Sequence, residues 1–293
     1  MPDRESGPVD LAALRWRLDQ LDGQIVELLN QRAAVSVQVG QVKQQAPPTP
    51  DSRLPTPVYV PDREAEVFRR ITEASTGPLP AEALRAIYGE ILSSSRALQT
   101  PLRIAFLGPE HTFGHQAALA HFGHSTTFIP VPTHPDVFKE TELGRADYGI
   151  VAIENSTEGP VNATLDSFID SELKACAEIR LDIHQALMSR APFDGIKVVY
   201  SHPQSFGQCR EWLRTHLPHA ALVDMASNVA AVARASQEDG AAALGPQPAA
   251  APYGLDVLES RAEDIAGNST RFLVIGQHMS ERTGQDRMAL QFS

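Results

Sequence analysis

The stretch Leu14–Lys43, LRWRLDQLDGQIVELLNQRAAVSVQVGQVK, decides how the rest of the chain is read. Its apolar residues step by alternating fours and threes through Leu14, Leu18, Leu21, Ile25, Leu28, Val35, Val39 and Val42, an apolar seam at heptad spacing on one helix. Arg32 stands in that seam where a leucine belongs. A guanidinium cannot shed its charge at neutral pH, so it needs an anion or a water-filled cavity beside it. A carboxylate that sets helix register would satisfy it equally well. Lys43 adds weight to the first reading, because it follows Arg32 by about three helical turns and shares its stripe. Two cations on one stripe suit an anion-binding chamber inside a helical assembly. The helix would run from about Val9 to Gln45, over ~50 Å, longer than a compact monomeric domain of this size. A partner copy, as a homodimer or higher homo-oligomer, is implied.

Composition frames the rest. A chain of 293 residues supports about two domains, each with its own core. No stretch approaches the roughly 20 apolar residues of a membrane span, and the acidic start (Asp3, Glu5, Asp10) is unlike a signal peptide. No membrane partner and a cytoplasmic location are therefore expected. Cys176 and Cys209 lack metal-type spacing and read as reduced and structural. A net charge of −11 argues against a nucleic-acid partner, so an anionic substrate must be gripped by local cations against the global field.

The texture changes near residue 101. A proline-rich break (Pro47, Pro48, Pro50, Pro55, Pro57, Pro61) ends the seam helix. Asp62 offers a cap for a helix over 63–75, and Pro80 opens another over 81–99. Beyond Pro101, strands are expected at 103–107, 127–131, 148–153, 196–200, 241–244 and 270–275. Helices are expected at 114–122, 135–144, 160–171, 205–216 and 228–237. This alternation predicts an α/β domain with a largely parallel sheet.

Ligands of such sheets gather at the carboxyl ends of strands. Leu107 leads into Gly108-Pro109-Glu110-His111-Thr112, Ile153 into Glu154-Asn155-Ser156-Thr157, and Tyr200 into Ser201-His202-Pro203-Gln204. Asn268-Ser269-Thr270-Arg271-Phe272 is the reverse case, with the polar group ahead of the apolar run. Each alone could be a turn or a helix cap, but four together describe a cleft. Other chemistries lack support. His111/His115 and His121/His124 have no HExxH-type glutamate, the Gly108 turn is neither a phosphate loop nor a dinucleotide fingerprint, and Ser201 has no nucleophile elbow. No metal and no cofactor are expected.

These residues resemble a known family. Residues 11–99 are similar to all-helical chorismate mutases, on Arg15, Arg32, Lys43, Arg63-Glu64, Ser95 and Gln99. Residues 103–276 are similar to prephenate dehydratases, on Ile153-Glu154-Asn155-Ser156, Ser201-His202-Pro203-Gln204 with Gln208, and Asn268 through Phe272. Their fusion resembles the bifunctional chorismate mutase–prephenate dehydratases of phenylalanine biosynthesis. The fold implied is a helical mutase domain (1–100) followed by a two-lobed, periplasmic-binding-protein-like α/β domain (101–278). Its lobes would be 103–182 plus 262–277, and 183–261. Three positions depart from the family pattern: Val60 replaces an aspartate, His111 a glycine and Gly114 a small hydroxyl residue. The family ends in a regulatory ACT domain, and residues 279–293, closing on Met288–Ser293, resemble the start of one.

The resemblance implies roles. Arg32 and Arg63 would hold the carboxylates of chorismate in their own chain and Arg15 would reach in from the partner. Lys43 and Gln99 would donate to the breaking ether oxygen, and Glu64 would accept a substrate hydroxyl, with Ser95 alongside. For prephenate, Thr270 would be the donor to the departing hydroxyl, Asn155, Ser156, Ser201 and Gln208 would orient the substrate, and Arg271 or a backbone nest would hold the pyruvyl carboxylate. Read without the family, Gln99 is equally a helix-end residue, Glu64 an acid near a helix start and Thr270 a β-branched strand residue. The competing class is a dimeric two-lobed small-anion binding or sensor module, since fold cannot separate the two.

Overall fold

The computed structural model describes residues 10–45 and 57–278. The acidic residues Asp3 and Glu5, most of the proline-rich break and the tail from residue 279 lie outside them. Helix α1 (Leu11–Gln45) is 35 residues long, about 52 Å at 1.5 Å per residue. Leu14, Leu18, Leu21, Ile25 and Leu28 remain 45% to 63% exposed, so the seam has no partner among the described residues. Only Gly40 of α1 is buried. A Cβ there would come within 3.1 Å of Gln99, so glycine permits the close approach of α1 to the end of the third helix.

Helix α2 (Pro61–Ala74) begins with Pro61, whose missing N–H would be unsatisfied in the first turn anyway. Val60 occupies the cap position and Asp62 lies inside the first turn, so the cap expected at Asp62 is corrected by two residues. Its charge there still complements the helix dipole. Helix α3 (Ala81–Ala97) follows Pro80.

The α/β part opens with β1 (Arg103–Leu107), α4 (Phe113–Phe122), β2 (Thr127–Val131), α5 (His134–Glu142), β3 (Tyr148–Asn155), β4 (Gly159–Pro160), α6 (Asn162–Asp170) and β5 (Lys174–Asp182). A second group follows: β6 (Ala186–Ser189), β7 (Val198–Ser201), α7 (Pro203–Gln208), α8 (Arg210–His216), β8 (Ala221–Asp224), α9 (Asn228–Ala235), β9 (Ala241–Gly245) and β10 (Asp256–Glu259). The chain then returns as β11 (Ser269–Gly276). One sheet has the order β2-β1-β3-β11-β5 with β4 beside β3, and the other β10-β6-β9-β7-β8.

Neither sheet is largely parallel. β1 runs parallel to β2 and β3, but β11 is antiparallel to β3 and β5; β7 is parallel to β8 and β9, but β6 is antiparallel to β9 and β10. The reason is connectivity: β11 arrives from the other sheet without a crossover helix and enters from the opposite end. The helix expected at 205–216 is divided at Cys209, where φ is −118°.

Alternation along the strands loads both faces of the first sheet. Ile104, Phe106, Ile150 and Val274 pack with Ala117, Ala118 and Phe122 of α4. Ala105, Val151 and Ile275 pack with Val137 and Phe138 of α5. Tyr59, 1% exposed, joins the α4 side and so seats the helical region on this sheet. The chain crosses between sheets twice, and the two crossings are bonded to each other: Ile183 N–H donates to Asn268 O and Ala262 N–H to Gln185 O, both at 2.8 Å. Glu263 reinforces them by accepting from Gln185 N–H at 3.0 Å and pairing with His184 Nδ1 at 2.7 Å.

Candidate active sites

The first constellation forms where α1, α2 and α3 meet. Arg32 donates to Ser95 Oγ, and Ser95 in turn donates to Ile91 O at 2.6 Å. Lys43 Nζ donates to Pro57 O at 2.8 Å. Glu64 accepts from Arg96, a residue the sequence reading passed over although it follows Ser95 directly. Gln99 Nε2 reaches Ser95 O only at 3.4 Å, and its Oε1 is buried without a hydrogen-bond partner among the described residues. Burial pushes the Glu64 carboxyl up, against the downward pull of Arg96, Lys43 and Arg32. Burial likewise lowers Lys43, opposed by Glu64. The group is thus a semi-enclosed cluster of cations around one carboxylate, with neutral donors at its edge.

Two expected members are elsewhere. Arg63 is turned outward and pairs with Glu66, with its side chain 57% exposed. Consecutive helical residues differ by about 100° around the axis, so Glu64 facing inward carries Arg63 away. Arg15 lies 17 residues before Arg32 on the same helix, about 25 Å along its axis. This chain alone does not bring them together.

The second constellation forms where β11 returns. Thr270 pairs with Asn155 across the antiparallel ladder, and Asn155 Nδ2 donates to Thr270 Oγ1 at 2.8 Å. The amide orientation is determined, because Asn155 Oδ1 accepts from Thr157 N–H at 2.9 Å and Glu158 N–H at 3.1 Å. With its oxygen already accepting, the Thr270 hydroxyl keeps its proton for another acceptor. Ser156 Oγ donates to Asn268 Oδ1 at 3.2 Å and accepts from Ser269 N–H at 3.0 Å, which pins the turn after β3 to the start of β11.

Arg271 stands apart from Thr270. It points to the face opposite Thr270, as strand alternation requires, and is held by Glu154 at 2.6 Å and Glu178 at 3.0 Å. Ser201 is also drawn inward: it is fully buried, with Oγ 3.1 Å from Leu244 O and 3.2 Å from Asn228 Oδ1. Asn228 Oδ1 further accepts from His202 N–H and Ser205 Oγ, so Asn228 organises the turn into α7 with Ser201 as one of its donors. Gln208 stands at the crossings, accepting from Gln185 Nε2 at 3.0 Å.

A cavity of about 570 Å³ opens beside the crossings, lined by Gln116, Asp182, His184, Gln247 and Asp256 among others. Asp182 is the register partner of Ser269, one step from Thr270. Gln116 Nε2 is buried there without a hydrogen-bond partner among the described residues, and no sequence motif marked it. His111, at the position where the family pattern has glycine, has φ +66°, the left-handed conformation glycine adopts freely. Its N–H donates to His115 Nδ1 at 2.9 Å, and burial lowers the His115 pKa. Among the described residues no cluster of three or more His, Cys, Asp or Glu could hold a metal ion, and no helix is long and apolar enough to cross a membrane. Cys176 and Cys209 are buried, and burial pushes the Cys176 thiol up to about 12.

A helical region with Arg32, Lys43 and Arg96 around the Glu64 carboxylate, joined to a two-sheet α/β unit whose polar motifs meet at the return strand, gives the chain two parts, each with its own polar constellation. Residues 14–100 match the type II chorismate mutase family and residues 104–280 the prephenate dehydratase family. The bifunctional chorismate mutase/prephenate dehydratase of Stutzerimonas stutzeri is 42% identical over 96% of this chain and 76% of that protein. The corresponding protein of Aquifex aeolicus is 38% identical over 97% of this chain and 77% of its own length. Among solved structures, the prephenate dehydratase of Arthrobacter aurescens in complex with L-Phe is 34% identical, with TM-score 0.58 over 62% of this chain and 63% of that one. The Staphylococcus aureus prephenate dehydratase is 30% identical, with TM-score 0.52 over 60% of this chain and 68% of that one. The chain belongs to the bifunctional chorismate mutase/prephenate dehydratase family.

Proposed function

We propose that the family's two reactions, chorismate to prephenate and prephenate to phenylpyruvate in phenylalanine biosynthesis, are divided between residues 1–100 and 101–278. Conversion of chorismate is a pericyclic shift of a dianion and needs no nucleophile. Its catalysis comes from holding the reactive conformer and stabilising charge on the breaking ether oxygen. Arg32 suits a substrate carboxylate, Lys43 and Gln99 suit the ether oxygen, and Glu64 suits a substrate hydroxyl with Ser95 orienting Arg32. Arg15 enters from a second copy, in a homodimer built on the exposed α1 seam. Arg63 swings inward from its exposed pair with Glu66 when the dianion is present.

Prephenate loses carbon dioxide and its ring hydroxyl as the ring aromatises, so the protein mainly protonates the departing hydroxyl and keeps the leaving carboxylate unstabilised. The observation that carries the assignment is the Asn155 to Thr270 hydrogen bond, which leaves the threonine proton free. A neutral hydroxyl fits because a cation there would stabilise the carboxylate that must leave. The substrate lies between lobes 103–182 plus 262–277 and 183–261, with Gln208, Ser156 and Gln116 as neutral donors and Ser201 acting through the α7 turn. The biosynthetic relatives support a cytoplasmic setting.

The test supplies chorismate or prephenate separately. Arg32→Ala should lose mutase turnover by about a hundredfold or more while still converting added prephenate. If Arg32→Ala keeps mutase activity, Arg32 serves helix register and the chamber reading fails.

A further inference from the structure

The helical region and the dehydratase region share one buried cation. Arg96, in the last turn of α3, is 5% exposed. It donates through one terminal nitrogen to the Glu64 carboxylate and through the other to the carbonyl of Phe122 at 2.6 Å. Phe122 is the last residue of α4, where helix carbonyls without intrahelical partners carry partial negative charge. The guanidinium also lies 5.9 Å from the centroids of the Tyr59 and Phe122 rings, close enough for cation–π attraction. Its fork therefore spans two regions of the chain: Glu64 on α2 on one side, the end of an α/β helix on the other.

The surroundings hold that fork in place. Tyr59 packs edge-on against Phe122, Tyr148 and His121 inside the first sheet's core. Just before it, Pro57 O accepts from Lys43, so a second member of the mutase group rests on the same anchored segment. A buried guanidinium needs both charge pairing and hydrogen bonds to offset its desolvation, and here one partner comes from each region.

We propose that Arg96 is a positioning residue of the mutase site, which fixes the Glu64 carboxylate by bridging it to the Phe122 carbonyl of the dehydratase region. This rests on the assignment of Glu64 to the mutase site. Arg96 acts through Glu64 and need not touch substrate. The charged and titratable groups facing Glu64 are Arg32 and Lys43 from α1, Arg96 from α3, Tyr59 from the segment before α2 and Tyr148 from β3. Burial raises the Glu64 carboxyl and Arg96 is first among the influences opposing it. Without Arg96 the carboxyl takes up its proton at a higher pH, and a protonated carboxyl is a poorer acceptor for a substrate hydroxyl.

The experiment uses the full chain and measures mutase kcat/KM between roughly pH 5 and 8 for wild type, Arg96→Gln, Arg96→Lys and Glu64→Gln, with dehydratase kcat as the control. Arg96→Gln should lower mutase kcat/KM about tenfold at neutral pH and move its acid limb upward, with dehydratase kcat unchanged. Arg96→Lys should recover the position of the acid limb but only part of the rate, because one ammonium cannot reproduce the two-pronged geometry. Should Arg96→Gln not fold, Arg96→Lys carries the test, and a wild-type rate in that variant overturns the proposal. An unmoved pH profile in Arg96→Gln, with Glu64→Gln inactive as a mutase, overturns the positioning role while leaving the site assignment standing. An active Glu64→Gln overturns both.

Discussion

Replacing Thr270 with valine removes one hydroxyl and keeps the shape of the side chain, so it separates chemistry from packing. Thr270 is 8% exposed, and its oxygen accepts from Asn155 Nδ2 at 2.8 Å. Valine leaves that amide N–H without a partner in a buried position, which costs about 1–3 kcal/mol of stability. For a protein of this size that is a drop of roughly 2–4 °C in Tm per kcal/mol. The effect on rate should be larger. A positioned proton donor contributes about a hundredfold or more, equivalent to ~2.7 kcal/mol of barrier. The assay follows phenylpyruvate from added prephenate, with chorismate consumption as an internal control for folding. Thr270→Val should lose dehydratase kcat by about a hundredfold with mutase kcat intact, and Thr270→Ser should recover most of it because the hydroxyl returns. A dehydratase kcat within about threefold of wild type in Thr270→Val refutes the assignment and shifts the donor to a bound water.

Mixing Arg15→Ala with Lys43→Ala subunits should restore mutase activity that neither variant has alone, since one hybrid site keeps both residues; verified heterodimers without activity count against shared sites. His111→Gly should raise Tm by a few degrees. The left-handed backbone at φ +66° costs histidine about 1–2 kcal/mol, of which glycine's extra unfolded-state freedom returns about half, and a lower Tm would mean that the ring contact with His115 outweighs the strain. His121, buried against Tyr59, is lowered from 6.5 to about 4 by burial and then by Arg96. The unfolded chain therefore binds more protons than the folded one between those values. Stability should fall as pH drops from about 6.5 to 4, by up to ~3 kcal/mol, and level off below. Urea midpoints measured across that window in wild type and in His121→Gln check this, and an equal acid slope in both would assign it to other groups.

The sequence by itself determined the features that depend on neighbours along the chain. The heptad spacing from Leu14 to Val42 specified α1, and short apolar runs bounded by turn residues specified β1 and β2 to the residue. The motifs around Asn155 and Thr270 were legible as polar groups at strand ends. What failed depended on contacts the chain does not encode locally. β5 (Lys174–Asp182) carries charged residues along a strand whose identity comes from pairing with β11, and β8 is an exposed edge that its neighbour β7 alone defines. Antiparallel entry of β11 depends on where the chain crosses between sheets, which no local pattern reports. The sites divide the same way. Residue types and spacing named Arg32 and Lys43, and the family resemblance added Glu64 and Thr270, but only tertiary packing decided that Arg63 faces solvent, that Arg271 lies on the face opposite Thr270, and that Arg96 closes the gap between Glu64 and Phe122. The direction in which a helix or strand side chain points follows from its register against partners 32 to 117 residues away, and register is fixed only when both surfaces are in place.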